Sequence, residues 1–395
     1  MRGVLVYAMV VVLAGTAGAG ATVAARHVFW PGGGTAYGVT TAGGPDAMND
    51  EVIYNAVAPG IVDVSANLKY LEETAEGTGF VIDAADGLVL TNNHVIDGAT
   101  SVTITPVLSG RPYTARVLGY DASDDVALLQ FQGVPGLKSV AIGDSSRLAA
   151  GAPVLAIGNE AGQGGPPTIA PGIISGLDRT IEASDEISGT SETLHDMLQT
   201  SADIRPGDSG GPLADAAGQV VGIDTAAGGG ANYFGYAIPI NEALAIAGRI
   251  AAGHQNSAIH LGLPAFLGVL LPDSGSTNPL RQATQEQRRA GTASSSGAGC
   301  VTGDPGPYTA IPARIAQVRS GALVDGVLCD TAAASAGLFA GDVITAVGGH
   351  AISSPGSLTA IIGRYRPGSQ APLAWISPGG AVHTALVTLN AGPAE

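Results

Sequence analysis

From Ile61 to about Ile240 the chain is a succession of short apolar runs, each soon ended by Gly, Pro or Asp. Gly79–Asp83, Leu88–Asn92, Ser101–Pro106, Val126–Phe131, Val154–Gly158 and Val220–Asp224 are examples. Runs of that length suit strands, and turn formers at that frequency suit a sandwich or barrel. With 59 glycines and 24 prolines in 395 residues, a bundle of long helices is a poor fit. Three helices are expected, one over Asn49–Val57, one capped by Asn241 and running to about Ala252, and one over Ser357–Tyr365. Residues 31–47 read as a flexible tether, and residues 253–261 as a hinge. A second apolar, Gly-rich unit then starts near Gly262. It is interrupted at 272–312 by a low-complexity stretch that reads as a long exposed loop. At roughly 150 residues per domain, two or three domains fit the length.

Charge narrows the partners. The net charge is −16, and Lys69 and Lys138 are the two lysines. Such a surface repels phosphate backbones, so nucleic acid is not an expected partner. The uncharged run Gly3–Ala25, between Arg2 and Arg26, is long enough to cross a hydrocarbon core of ~30 Å. The alternative is a secretory signal cut at Ala17-Gly18-Ala19 or Ala19-Gly20-Ala21. Either way the rest of the chain, from about residue 31, leaves the cytoplasm. There, an even count of two cysteines, Cys300 and Cys329, points to a disulfide, with two buried free thiols as the other reading. No CxxC or paired-His spacing accompanies them, so no metal is expected, and nothing calls for a cofactor.

The chemistry concentrates in Pro206-Gly207-Asp208-Ser209-Gly210-Gly211-Pro212-Leu213. A serine between glycines can sit on a tight turn with backbone N–H groups converging beside its hydroxyl, where they would bind a developing oxyanion. A hydroxyl is a poor nucleophile near neutral pH and needs a base. His94 stands in Leu90-Thr91-Asn92-Asn93-His94-Val95-Ile96, at the end of an expected strand. The base in turn needs an orienting carboxylate, and Asp125 opens Asp125-Val126-Ala127-Leu128-Leu129. Singly, these read as a hairpin turn, a structural histidine and a solvated loop acid. Jointly, in the order His, Asp, Ser, they read as a triad. An α/β-hydrolase is excluded by that order, since its nucleophile comes first.

These stretches resemble the HtrA family of serine proteases. Gly77-Thr78-Gly79-Phe80-Val81-Ile82, Leu90–Ile96, Asp121–Leu129, Gln199–Leu213, Gly222–Ala227 and Gly235-Tyr236-Ala237-Ile238-Pro239 carry the likeness. The resemblance implies a mainly β fold. A chymotrypsin-like double six-stranded β-barrel over 48–252 would be followed by an α+β PDZ domain over 262–390, with the N-terminal segment 1–30 as signal or transmembrane helix. It implies Ser209 as nucleophile, His94 as base and then acid, and Asp125 rather than Asp124 or Asp121 as orienter. Gly207 and Ser209 would give the oxyanion hole, with Asp208 between them. Substrate would pair along Thr225, Ala226 and Ala227. Phe266-Leu267-Gly268-Val269 would hold a peptide's terminal carboxylate, and the family's habit of self-association suggests a homotrimer.

Two residues depart from the family pattern. Asp208 stands where the family usually has Asn, and needs a partner or water. Asp203 stands where a small apolar residue is usual. If buried and unpaired, its carboxylate would be costly, and a substrate Arg or Lys would relieve that cost; pairing with Arg205 is the bland alternative. The reading is an extracytoplasmic serine endopeptidase acting on unfolded or exposed polypeptide, in protein quality control. Its runner-up is a catalytically dormant chaperone or peptide-binding protein on the same fold.

Overall fold

The computed structural model describes residues 10–11, 48–133, 136–159, 164–184, 191–228, 235–272, 300–301, 312 and 314–394. The tether at 31–47 and nearly all of the insertion at 272–312 fall outside those residues. Of the expected anchor, the described part is β1 (Val10–Val11), which lies parallel to Ala227 and Gly228. Among the described residues no helix is long and apolar enough to cross a membrane.

Six strands form a first barrel: β2 (Ile61–Leu68), β3 (Glu73–Asp83), β4 (Leu88–Thr91), β5 (Ser101–Pro106), β6 (Tyr113–Asp121) and β7 (Val126–Gln130). They run in the order β6-β5-β2-β3-β4-β7, and β7 closes on β6. A second barrel contains β8 (Pro153–Gly158), β9 (Thr168–Ser184), β10 (Ser191–Thr200), β11 (Pro212–Asp215), β12 (Val220–Gly228) and β13 (Gly235–Pro239). Its order is β12-β11-β8-β9-β10-β13, closed by β12 against β13. Closure removes the sheet edges, which suits a chain of short strands.

Strand alternation explains how the two barrels share a core. In β7, Val126 and Leu128 join a cluster that also holds Leu155, Ile157, Met197 and Ile238 from the second barrel. Ala127 and Leu129 face the other way, among Val62, Val64 and Val81 of the first. Buried on both faces, the strand reads as one continuous apolar run. By the same alternation Val62, Val64 and Ala66 of β2 enter the first barrel's own cluster, while Asp63 turns to the second barrel and meets Asn159.

The helix expected from Asn241 instead spans Ile240–Ala251 with Pro239 at its N-cap. Asn241 makes no cap; its amide donates to Asp144 Oδ1 at 2.8 Å. The segment expected as a hinge ends in β14 (Ile259–His260), which adds to the first barrel with Ile259 opposite Asp121. Beyond it lie β15 (Ala265–Phe266), β16 (Val269–Leu270), β17 (Ala322–Leu323), β18 (Gly326–Val327), β19 (Val343–Val347), β20 (His350–Ala351), β21 (Gln370–Ile376), β22 (Val382–Thr388) and β23 (Asn390–Ala391). Five of these form one sheet, β17-β19-β21-β22 with β20 on β19, and β15–β23 and β16–β18 make two small pairs. Helices Ala332–Ala336 and Pro355–Ile362 complete the unit around Leu267, Ile344, Leu358 and Trp375.

Further contacts fasten this C-terminal unit to the first barrel. Tyr70 and Phe266 place their ring centroids 5.0 Å apart. Ala394 bonds to the segment just after His94's helix: Gly98 N–H donates to Ala394 O at 2.9 Å, and Ala394 N–H to Ala99 O at 3.1 Å.

Cys300 and Cys329 form a disulfide, with Cα atoms 4.9 Å apart. Cys329 N–H also donates to Val301 O at 2.9 Å, so the far end of the insertion is pinned to the unit's core. The double variant Cys300→Ser/Cys329→Ser is expected to lose about 3 kcal/mol, from the loop entropy a cross-link of this span removes. Urea unfolding of the C-terminal unit measures this, and an unchanged midpoint would contradict it.

Candidate active site

β4 ends at Thr91, Asn92 stays extended (φ −79°, ψ 154°), and the chain turns into the four-residue helix Asn93–Ile96. That places His94 beside the loop between β6 and β7, where Asp125 takes a left-handed φ of 53°, a conformation a short polar side chain tolerates. Asn92 Nδ2 donates to the Asp125 carbonyl at 2.9 Å. His94 N–H donates to Asp125 Oδ1 at 2.9 Å, and His94 Nδ1 lies 3.0 Å from Oδ1 and 2.9 Å from Oδ2. Thr225 Oγ1 donates a short hydrogen bond to the same Oδ2. Asp125 is 1% exposed. A carboxylate accepts and cannot donate, so the proton sits on Nδ1 and Nε2 is the basic nitrogen.

Ser209 follows a tight turn. Arg205-Pro206-Gly207-Asp208 is closed by Asp208 N–H to Arg205 O at 2.9 Å, with Pro second and Gly third at φ 96°. That is the sequence a type II turn demands. Gly210 (φ 86°) admits no side chain, since a Cβ would meet Thr78 O at 2.0 Å. Ser209 Oγ donates to Thr225 O at 3.2 Å. Among the described residues, neither Gly207 N–H nor Ser209 N–H donates a hydrogen bond.

Thr78, on β3, clamps this turn from the first barrel. Its N–H donates to Ser209 O at 2.9 Å and its Oγ1 donates to Gly207 O at 2.7 Å. The Gly207 carbonyl is thereby tied to Thr78. Thr91 Oγ1 donates to Thr78 O, and Asn159 N–H to Thr78 Oγ1. All three side chains are buried. The sequence reading did not find Thr78 or Asn159; the one available sign was a small polar residue between Gly77 and Gly79.

The remaining expectations fare differently. Asp203 is not a buried carboxylate: it is exposed, and its Oδ2 accepts from Arg205 Nη2 at 2.7 Å and Nε at 3.0 Å. Thus the ground for a basic preference, an unpaired acid on a pocket floor, is absent. Ala226 and Ala227 lie on β12 opposite Tyr236 and Gly235, with β1 alongside Ala227. Phe266, Leu267, Gly268 and Val269 line a cavity of about 640 Å³. Tyr120 and His260 also line it, as do Leu358 and Ile362 of the helix Pro355–Ile362. Gly268 (φ 83°) packs so closely on Thr331 that a Cβ would sit 2.2 Å from it. Among the described residues no group of three or more His, Cys, Asp or Glu is arranged to hold a metal ion.

Residues 77–223 match the trypsin-like peptidase domain family. Serine protease PepD of Mycobacterium tuberculosis is 32% identical over 96% of this chain and 75% of its own length. Serine protease Do-like HtrB of Bacillus subtilis is 37% identical over 59% of this chain and 53% of its own. Periplasmic serine endoprotease DegP of Salmonella typhimurium is 32% identical over 78% and 55%. The chain therefore spans little more than half the length of two of these relatives. The solved HtrA-type protease AlgW with tripeptide aligns over 87% of this chain and 98% of that one, at 27% identity and a TM-score of 0.45.

Two outcomes test the geometry. Thr78→Val keeps the shape and removes the bond to Gly207 O, so kcat is expected to fall by roughly tenfold to a hundredfold, less than deletion of an oxyanion donor, with KM little changed; a wild-type kcat would refute the clamp. Separately, burial pushes the Asp63 carboxyl up to about 6, with the Asn159 bond opposing and the Glu76 charge adding. A raised acid contributes stability below its ordinary value that is lost as pH rises through the folded one. The melting temperature should fall between 3.8 and about 6, and Asp63→Asn should flatten that fall.

Proposed function

The chain belongs to the HtrA family of serine proteases, and from that premise we propose that it is a serine endopeptidase working by acyl transfer. The observation that carries this reading is the buried Asp125 carboxylate bonded to His94 Nδ1, next to Ser209 on its glycine-closed turn. Ser209 Oγ attacks the scissile carbonyl while His94 Nε2 takes its proton. Asp125, held by Thr225 and Asn92, stabilises the imidazolium that forms. The tetrahedral oxyanion is met by the N–H groups of Gly207 and Ser209. His94 then protonates the leaving amine, and water repeats the sequence on the acyl-enzyme. Substrate lies extended along Thr225, Ala226 and Ala227, its backbone completing the sheet, which suits unfolded or exposed segments better than compact ones.

The C-terminal unit serves as a PDZ domain. Its groove is the cavity between Phe266–Val269 and the helix Pro355–Ile362, sized for the end of a peptide chain. The protein acts outside the cytoplasm, sent there by its N-terminal segment as anchor or cleaved signal, and self-associates. The Cys300–Cys329 bond supports that location, since disulfides persist in oxidising compartments. Quality control of damaged polypeptide is the role that fits these parts.

Active-site labelling by a fluorophosphonate is expected on Ser209 and should vanish in Ser209→Ala, which should also lose about 10⁶ in kcat. An unlabelled, proteolytically silent wild type that still holds unfolded protein in solution would favour the dormant chaperone.

A further inference from the structure

The Ser209 turn is closed upon itself. Asp208 N–H donates to Arg205 O at 2.9 Å, Asp208 Oδ2 accepts from Arg205 N–H at 2.9 Å, and Gly211 N–H donates to Asp208 O at 2.8 Å. A turn closed in this way moves as a unit, and bonds from outside set its position. Beyond Ser209 the main chain of Asp224 supplies two: Gly210 N–H donates to Asp224 O at 2.7 Å, and Asp224 N–H to Gly211 O at 2.8 Å. Ser209 O is held by Thr78 N–H. Gly207, before it, has no Cβ to limit its rotation. Among the described residues, the Thr78 hydroxyl is the one donor to its carbonyl.

The direction of that hydroxyl is set in turn. A hydroxyl carries one hydrogen and accepts through its lone pairs. Asn159 N–H donates to Thr78 Oγ1 at 2.9 Å, which leaves the hydroxyl hydrogen for Gly207 O. Asn159 directly follows β8, and its side chain is fixed at both ends. Its Oδ1 accepts from Gly164 N–H at 3.1 Å, and its Nδ2 donates to Asp63 Oδ1 at 2.8 Å. The Gly164 bond settles which end of the amide is which, so a donor faces Asp63. Asp63 is the cross-strand partner of Thr78 in the β2–β3 register. One pair of residues therefore grips Asn159 twice, by its side chain and by its main chain. Asp63, Thr78 and Asn159 are all buried, and a buried donor stripped of its acceptor costs more than the bond itself contributed.

We propose that Asp63 and Asn159 are positioning residues for the oxyanion hole, acting through the Thr78 hydroxyl on the Gly207 peptide. The line runs from the Asp63 carboxylate to the Asn159 amide, the Thr78 hydroxyl and the Gly207 carbonyl, and each link is a hydrogen bond. Neither residue meets the reacting atoms. Together they decide where the Gly207 N–H points when charge develops on the substrate oxygen. Asp63 is needed there as an acceptor, so an amide oxygen in its place serves nearly as well, whereas an alkyl group does not.

The role rests on the endopeptidase reading, but the link itself can be tested without catalysis. Hydrogen exchange at Arg205–Gly211 is expected to quicken several-fold in Asp63→Leu and to stay near wild type in Asp63→Asn. The strand Val126–Gln130, unchanged, serves as the reference for global opening. Should Asp63→Leu fail to fold by circular dichroism, Asn159→Ala breaks the same link and carries the same expectations. A folded variant whose turn exchanges at the wild-type rate, or quickens only in step with Val126–Gln130, overturns the proposal. Kinetics test the consequence. In Asp63→Leu, kcat should fall about tenfold, short of the roughly 10²–10³ for a deleted oxyanion donor, with KM little changed. Affinity for a peptide aldehyde, whose adduct with Ser209 places an oxygen in the hole, should fall in step with kcat, and Asp63→Asn should restore both. Wild-type kcat and aldehyde affinity in a folded Asp63→Leu would overturn the positioning role. A wild type that cleaves nothing, with exchange behaving as expected, would sink the endopeptidase reading alone.

Discussion

Thr78 is the interaction on which the rest of the site depends. The segment Arg205–Gly211 has no regular structure of its own and belongs to the second barrel, whereas His94 and Asp125 belong to the first. Thr78, from the first barrel, holds the Gly207 and Ser209 carbonyls by its hydroxyl and its amide. Those two bonds are made in a fully buried setting, where losing a partner costs far more than in water. The cleft between barrels is therefore joined at the place where chemistry needs both halves in register. Gly77 and Gly79 flank Thr78 because β3 passes too close to its neighbours for side chains; a Cβ on Gly77 would meet Val95 at 2.7 Å.

Where each half of the constellation was legible in the sequence follows from this arrangement. Ser209, His94 and Asp125 each stand in a local pattern tied to their backbone: a glycine-closed turn, the end of a strand, the residue before an apolar run. β7 was easy to find because burial on both faces leaves it continuously apolar. β9 was not. It carries Pro171 and Gly172 in its body, and its pairing with β10 slips register three times. Irregular pairing of this kind erases the alternation by which a strand is recognised.

Contacts between distant segments left no local trace either. Nothing near Thr78 announces Gly207, and nothing near Asp63 announces Asn159, because the barrel closure that unites them is a property of the whole chain. Asn241 shows the reverse error: a good capping residue drawn off by Asp144, with Pro239 supplying the N-cap position. Asp203 carries the same lesson. Its spacing from Ser209 suggested a pocket floor, but Arg205, two residues along, neutralises it in the open.

The C-terminal unit is fixed to the first barrel at several separated places: β14 on β6, Phe266 against Tyr70, Asp330 beside Lys69, and Ala394 bonded to Gly98 and Ala99. A body held at one place swings freely; held at several, it moves only by parting some of those contacts. The Ala394 bonds begin two residues beyond the short helix bearing His94, so one mooring of the unit is also the ground on which the imidazole stands.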